Sequence, residues 1–283
     1  MKQVVVLGSN GQLGQTINSL NKDYVFFSHQ EVDITIKEDL EKIFKSNQFS
    51  YCINCAAYTD VEGAESDEDK AFLINGEGVR NIAQVCKKYN TVLIHISTDY
   101  VFDGLGTEPY KTTDLPNPIN QYGKSKLQGE KNIQRILSEH YIIRCSWLYS
   151  PYGKNFVKTI ISKVQENKNL TITTDEVGTP TSCLELYKFI KYIIEQDKIP
   201  YGIYNFSAKG STTWYLFALE IVKHIFPDKI SDIFPTNTYK TEAKRPKFSV
   251  LDVHKTEAVY KKLKDWKKSV EDVTEEIKRK SNL

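Results

Sequence analysis

The chain has 283 residues, 40% hydrophobic and 26% charged, with a net charge of +2. That length suits a sizeable core and two lobes of ~150 residues each, in an ordinary globular composition. Near-neutral charge gives no reason to expect nucleic acid, and no apolar run approaches the ~18 residues of a membrane span. No leader is expected ahead of the valine run that starts at Val4. The five Cys are odd in number and mostly sit in apolar stretches, which suits reduced, buried thiols in a cytoplasm.

Residues 3–7 (QVVVL) form a short apolar run ending at glycine, which predicts a fully buried parallel strand. Gly8, Gly11 and Gly14 follow directly, and a helical pattern runs on through about Lys22. Glycines between strand and helix let a pyrophosphate meet helix N–H groups; the other reading is a turn that serves only close strand–helix packing. Residues 24–27 predict a second strand and 36–47 its helix. Where a dinucleotide fold often places an acid for the adenosine ribose, this chain has Ser28-His29-Gln30. Nothing there repels a 2′-phosphate, and His29 can meet one, so NADPH is expected to be tolerated beside NADH; a surface turn that ignores the cofactor is the alternative. Asp33 and Ile34 either flank the adenine, or Asp33 caps the next helix.

A third strand over 50–55 ends in small residues that let backbone approach a ligand. Cys52 and Cys55 form a CxxC inside it, where residues three apart face opposite ways, so both read as buried strand cysteines rather than a redox pair. A long helix is expected over 70–89, and a fourth strand over 91–96 that empties into Ser97-Thr98-Asp99-Tyr100. Two prolines within 114–118 stop any helix before a further one over 119–137, and a fifth strand follows over 141–145. This alternation predicts an α/β fold, a Rossmann-type doubly wound parallel sheet over residues 1–150 that binds NAD(P). Residues 151–283 read mainly as a smaller C-terminal substrate-binding lobe, with the segment around 170–206 free to return to the first domain. Helices are expected near 155–166, 183–195 and 213–226, strands near 170–173 and 201–206, and an amphipathic helix at the end.

Tyr122 and Lys126 stand four apart on the 119–137 helix, where an ammonium can favour the phenolate and lower the tyrosine's pKa from ~10. With 17 Tyr and 33 Lys, about two such spacings arise by chance. Three occur: Tyr122/Lys126, Tyr187/Lys191 and Tyr260/Lys264. The last lies in a charged region that reads as surface, and the second starts a second-lobe helix without polar company. Only the first belongs to the helix after the strand that delivers Ser97 and Thr98. Thr98 and Tyr122 could then grip one carbonyl oxygen, with Tyr122 as proton donor and Lys126 shifting its pKa and holding the ribose. An ordinary surface pair is the bland reading.

The Gly8–Gly14 turn, NCAAYT (54–59), STDYVFDG (97–104), YGKSKLQGE (122–130), RCSWLY (144–149), GTPTS (178–182) and RPKFSVLD (245–252) occur in order. Together they resemble the dTDP-4-dehydrorhamnose reductases, an atypical branch of the extended short-chain dehydrogenase/reductases. The resemblance implies NAD(P)H-dependent reduction of the C4 ketone of dTDP-4-dehydro-β-L-rhamnose, for cell-surface polysaccharide. It implies Tyr122, Lys126 and Thr98 as the catalytic residues. It gives Gly11, Gln12, Leu13, Asp33, Ile34, Ala56, Ala57 and Thr59 to the cofactor, beside the Gly8, Gly14 and His29 that the turn and strand-end readings assign to it, and Thr98, Asp99, Tyr100 and Trp147 to the sugar nucleotide. Trp147 covers a sugar ring or base, or is a core tryptophan; Arg245 reaches the diphosphate, or forms a structural ion pair. Tyr100 stands where related dehydratases carry a glutamate, which argues for a plain reductase. Some members bridge subunits with Mg²⁺ through an acid on the first helix; residues 12–22 hold no acid, so no metal is assigned, and a monomer or homodimer is expected. The other readings are reduction of a different 4-keto-deoxy nucleotide sugar, and a non-catalytic regulatory role like that of the methionine adenosyltransferase β subunit.

Overall fold

Six short runs of aliphatic and aromatic residues line up as one sheet in the computed structural model, which describes residues 2–196, 198–238 and 240–281. They are β1 (Val4–Leu7), β2 (Val25–Phe27), β3 (Tyr51–Asn54), β4 (Val92–Thr98), β5 (His140–Cys145) and β6 (Gly202–Phe206). The order across the sheet is β2-β1-β3-β4-β5-β6, with every neighbouring pair parallel. This is the doubly wound α/β sheet that the alternation of patterns predicts. All residues of β1, β3, β4 and β5 are buried, because helices cover both faces, and that is why these strands read as unbroken apolar runs.

Alternate residues of each strand feed two separate cores. On one face Val4, Val6, Ile53, Ile94 and Ile143 pack with helix α1 (Gln12–Leu20). On the other, Val5, Leu7, Cys52, Leu93 and Ile142 pack with α2 (Lys37–Ser46), α3 (Val79–Lys88) and the end of α4 (Gln121–Ile136). Cys52 and Cys55 divide between these faces, both as free thiols.

From β1 the chain goes outward to β2 and then returns to the opposite side of β1 as β3, so a crevice opens beyond the carboxyl ends of β1 and β3. Gly8 sits at its floor with φ +79°, and a Cβ there would lie 2.6 Å from the Ala56 nitrogen. No other residue fits that turn without moving the end of β3.

Four local readings change. The helix expected over 70–89 is broken: Glu68–Phe72, a π-helical turn over Leu73–Gly78, then α3. The wide turn aims Asn75 inward, where it pairs with both backbone groups of Tyr58 at 2.9 and 3.0 Å and donates to Ser125 Oγ at 3.0 Å. Strand β4 runs on through Ser97 and Thr98, opposite Arg144 and Cys145. Tyr260 is not on the surface; it packs on Phe189 and Tyr192, while Lys264 reaches Asp272 and Glu185. Tyr187 is equally a core residue, in a helix (Cys183–Glu195) that covers the sheet beside α1.

That helix and β6 both return to the sheet, whereas Leu170–Thr173 pairs with Ile233–Thr236 in the other layer. There Phe156–Gln165, Trp214–Ile225 and Trp266–Ser281 close a third core around Phe217, Trp266 and Val270.

Candidate active site

Two cavities lie along the carboxyl edge of the sheet and share Asn10, Gly11, Cys55, Ala57 and Thr59 at their junction. One, of about 620 Å³, is lined by Gly8, His29, Asp33, Ile34, Ala56 and Leu73 among others. The second, of about 520 Å³, is lined by Gln12, Leu13, Thr98, Asp99, Tyr100, Tyr122, Lys126 and Trp147. Helix α1 starts at the junction with Gly11 as its N-cap, no capping side chain and no acid in its first turn. Its leading N–H groups are therefore open to an anion. The two cavities and the open start of α1 together form one continuous groove along the residues that the sequence assigns to a dinucleotide.

Gly14 lines neither cavity. A Cβ there would lie 2.5 Å from the Gly8 carbonyl oxygen, so its work is the close seating of α1 on the turn. Asp33 makes a tight turn, accepting from the Thr35 N–H and hydroxyl at 2.9 and 2.8 Å, and does not cap α2, whose N-cap is Ile36. His29 is largely exposed at the rim, 3.9 Å from Asp33. A carboxylate does stand near the end of β2: Glu31 turns back and accepts from the Ser28 N–H and hydroxyl, both at 2.7 Å, which holds its pKa below the usual range. It does not line the cavity.

Helix α4 brings Tyr122 and Lys126 to the second cavity. Its N-cap Asn120 accepts from the Gly123 N–H at 2.7 Å and donates to the Lys244 carbonyl at 2.8 Å, an anchor the sequence reading missed. A Cβ on Gly123 would overlap the Tyr100 carbonyl oxygen, so this glycine lets the helix lie directly on the turn that follows β4. The Tyr122 and Tyr100 rings meet edge to face, with centroids 5.8 Å apart. Burial is the main influence on the Tyr122 phenol and pushes it well above its ordinary value, while the Thr98 hydroxyl beside it acts in the opposite sense. The expected lowering of this phenol by Lys126 is not what the geometry gives. Lys126 Nζ donates to the Ile96 carbonyl at 2.7 Å, and burial pulls its own pKa down to about 8 against the opposing pull of Cys145, Glu130 and Cys55. Tyr122 is thus a protonated phenol at neutral pH, the form a proton donor needs.

Asp99 is buried and pushed up to about 7, chiefly by burial, with the Ser249 and Thr98 hydroxyls opposing. Ser249, in the 245–252 motif, lines neither cavity but acts on the Asp99 carboxyl, a contact that the sequence reading passed over. Trp147 has φ +47° and stacks on Trp214 at 3.7 Å, and both line the cavity. Trp214 was unforeseen; its Nε1 is fixed by Glu176 at 2.9 Å. Arg245 does not line the cavity. It is paired with Glu62 at 2.7 Å, and Glu62 also accepts from the N–H groups of Glu242 and Ala243. The cations on the cavity wall are Lys126 and Lys154. Among the described residues no cluster of metal-ligating side chains occurs.

The family model described as the RmlD substrate binding domain matches residues 1–279. A dTDP-4-dehydrorhamnose reductase of Aggregatibacter actinomycetemcomitans is 32% identical, over 96% of this chain and 98% of its own. One from Escherichia coli is 31% identical over 97% of each. The crystal structure of dTDP-4-dehydrorhamnose reductase from Bacillus anthracis in complex with NADP superimposes with a TM-score of 0.92 at 34% identity, covering 98% of this chain and 100% of that one. With its sheet, its two joined cavities and its Thr98–Tyr122–Lys126 group, the chain belongs to the RmlD family of dTDP-4-dehydrorhamnose reductases.

Proposed function

We propose that this protein reduces the C4 ketone of dTDP-4-dehydro-β-L-rhamnose to the alcohol with NADPH or NADH. The observation that carries the reading is the meeting of the Thr98 and Tyr122 hydroxyls and the Lys126 ammonium in a cavity continuous with the open start of α1. When bound, the reduced nicotinamide supplies the hydride that C4 receives. Tyr122 gives its phenolic proton to the ketone oxygen, and Thr98 donates a hydrogen bond to that oxygen as negative charge grows on it. Lys126, held by the Ile96 carbonyl, stabilises the tyrosinate left behind and is placed to hold the nicotinamide ribose. Gly11, Gln12 and Leu13 receive the diphosphate of the cofactor, while Ile34 and Leu73 give the adenine apolar walls. Trp147 and Trp214 offer the sugar nucleotide an aromatic wall, and Asp99 and Tyr100 lie beneath it.

Residues 1–150 carry the cofactor in this scheme and 151–283 mainly the sugar nucleotide. No described helix is long and apolar enough to cross a membrane; the cytoplasmic setting is part of the proposal. The test is NADPH oxidation with enzymatically generated dTDP-4-dehydrorhamnose, with the product identified by mass and by NMR at C4. A protein that binds NADPH yet oxidises none with this sugar nucleotide would refute the assignment.

A further inference from the structure

Two charges are buried behind the reacting hydroxyls, and the proton transfer above does not use them. Glu130 lies on α4 one turn past Lys126 and two past Tyr122, on the same stripe of the helix. It is 1% exposed, and its partner Arg144 on β5 is 2% exposed. Arg144 grips the carboxylate as a fork, Nε at 3.0 and 3.2 Å and Nη2 at 2.7 Å. Ser97, directly opposite Arg144 in the β4–β5 register, donates its hydroxyl to the same carboxylate at 2.5 Å. The guanidinium also stands 5.2 Å from the Phe102 ring, in the segment that follows Thr98.

Stability is a weak reason for such a pair, since burying both charges costs desolvation that well-packed apolar side chains avoid. What apolar side chains lack is direction. Here directional bonds tie α4, β4 and β5 at one point, next to Thr98 in β4 and one turn from Lys126 in α4. A misplacement of ~1 Å between reacting groups can cost ~10²-fold in rate.

We propose that Ser97, Glu130 and Arg144 form a positioning triad that sets Tyr122 and Lys126 against Thr98, a role that rests on the reductase reading above. The test uses E130L/R144M, which removes both charges together, beside Ser97→Ala, which removes one hydroxyl. The double variant should melt no lower than the parent and lose about tenfold or more in kcat, with KM for NADPH and sugar nucleotide within about threefold. Amides of residues 121–130 should exchange faster, while those of Trp214–Ile225 stay as in the parent. Ser97→Ala should show the same split to a smaller degree, and Arg144→Lys should restore little, because an ammonium lacks the planar fork. Parental kcat in a folded E130L/R144M overturns the triad. If the double variant does not fold, parental kcat in Ser97→Ala does so instead. Should the parent reduce no 4-keto nucleotide sugar, the reductase reading alone fails, and exchange over 121–130 in the unliganded protein still decides for or against the triad.

Discussion

Replacing Asp99 by Asn removes one ionisable group from beneath the site and keeps its shape. The carboxyl is 2% exposed, Oδ1 accepts from the Thr98 hydroxyl at 3.1 Å, and Oδ2 is buried without a hydrogen-bond partner. Burial, helped by the negative charge of Glu176, lifts it to about 7. An aspartate in an unfolded chain titrates near ~3.9. Between about pH 4 and 7 the folded chain therefore keeps a proton that the unfolded chain has released, and stability falls as pH rises through that window. Three pK units at ~1.4 kcal/mol each set an upper limit of about 4 kcal/mol on the loss. The Asn variant suffers no such loss, so its stability relative to the parent should rise by up to about 4 kcal/mol from pH 4 to 7 and then level off. Any cost of placing an amide nitrogen at the unpartnered position shifts the comparison equally at every pH. Urea unfolding of both proteins at matched ionic strength, stepped across this range, measures the difference. A difference that stays flat, or moves against the variant, would show Asp99 ionised throughout and burial outweighed by its hydroxyl partners.

Tyr122→Phe should lower kcat by about 10²- to 10⁴-fold and leave NADPH affinity, read by fluorescence titration, within about threefold. In the proposed mechanism Lys126 acts as a cation, and its ammonium is pulled down to about 8, so kcat should fall as pH rises through that value, and Lys126→Met should abolish this limb of the profile. Gly123→Ala forces a methyl into the Tyr100 carbonyl, and should lower stability by about 1–3 kcal/mol in the same urea assay. With Glu31 folded back on Ser28 and His29 open at the rim, NADPH should give a kcat/KM at least equal to that with NADH. A strong preference for NADH would mean that Glu31 or Asp33 faces the ribose.

What could be read from the sequence was whatever depends on short runs and fixed spacings. Parallel strands buried on both faces leave unbroken apolar runs, so β1, β3, β4 and β5 are visible as QVVVL, YCINC, TVLIHI and YIIRC. Tyr122 and Lys126 need only the geometry of one helix to share a face. What stayed hidden were partners brought together by tertiary structure. Arg245 and Glu62 are 183 positions apart, and Asn120 and Lys244 are 124 apart. No local pattern announces that these contacts hold the 242–249 segment across the start of α4. The π-helical turn was hidden for a different reason. Its residues, LINGEG, fit a continuous helix, and only the pairing of Asn75 with Tyr58 and Ser125 favours the wider turn.

The same distinction explains the one electrostatic reading that failed. Spacing placed Lys126 one turn from Tyr122 but said nothing of the solvent that both would lose. In water the ammonium would favour the phenolate; once buried, each group resists charge, so the phenol rises and the ammonium falls. The Ile96 carbonyl then takes the direct hydrogen bond from Lys126. A phenol that holds its proton at rest suits a reductase better than a ready phenolate would. In the proposed mechanism the donor must be loaded when the ketone arrives, and the lysine's help is needed only after the proton has left.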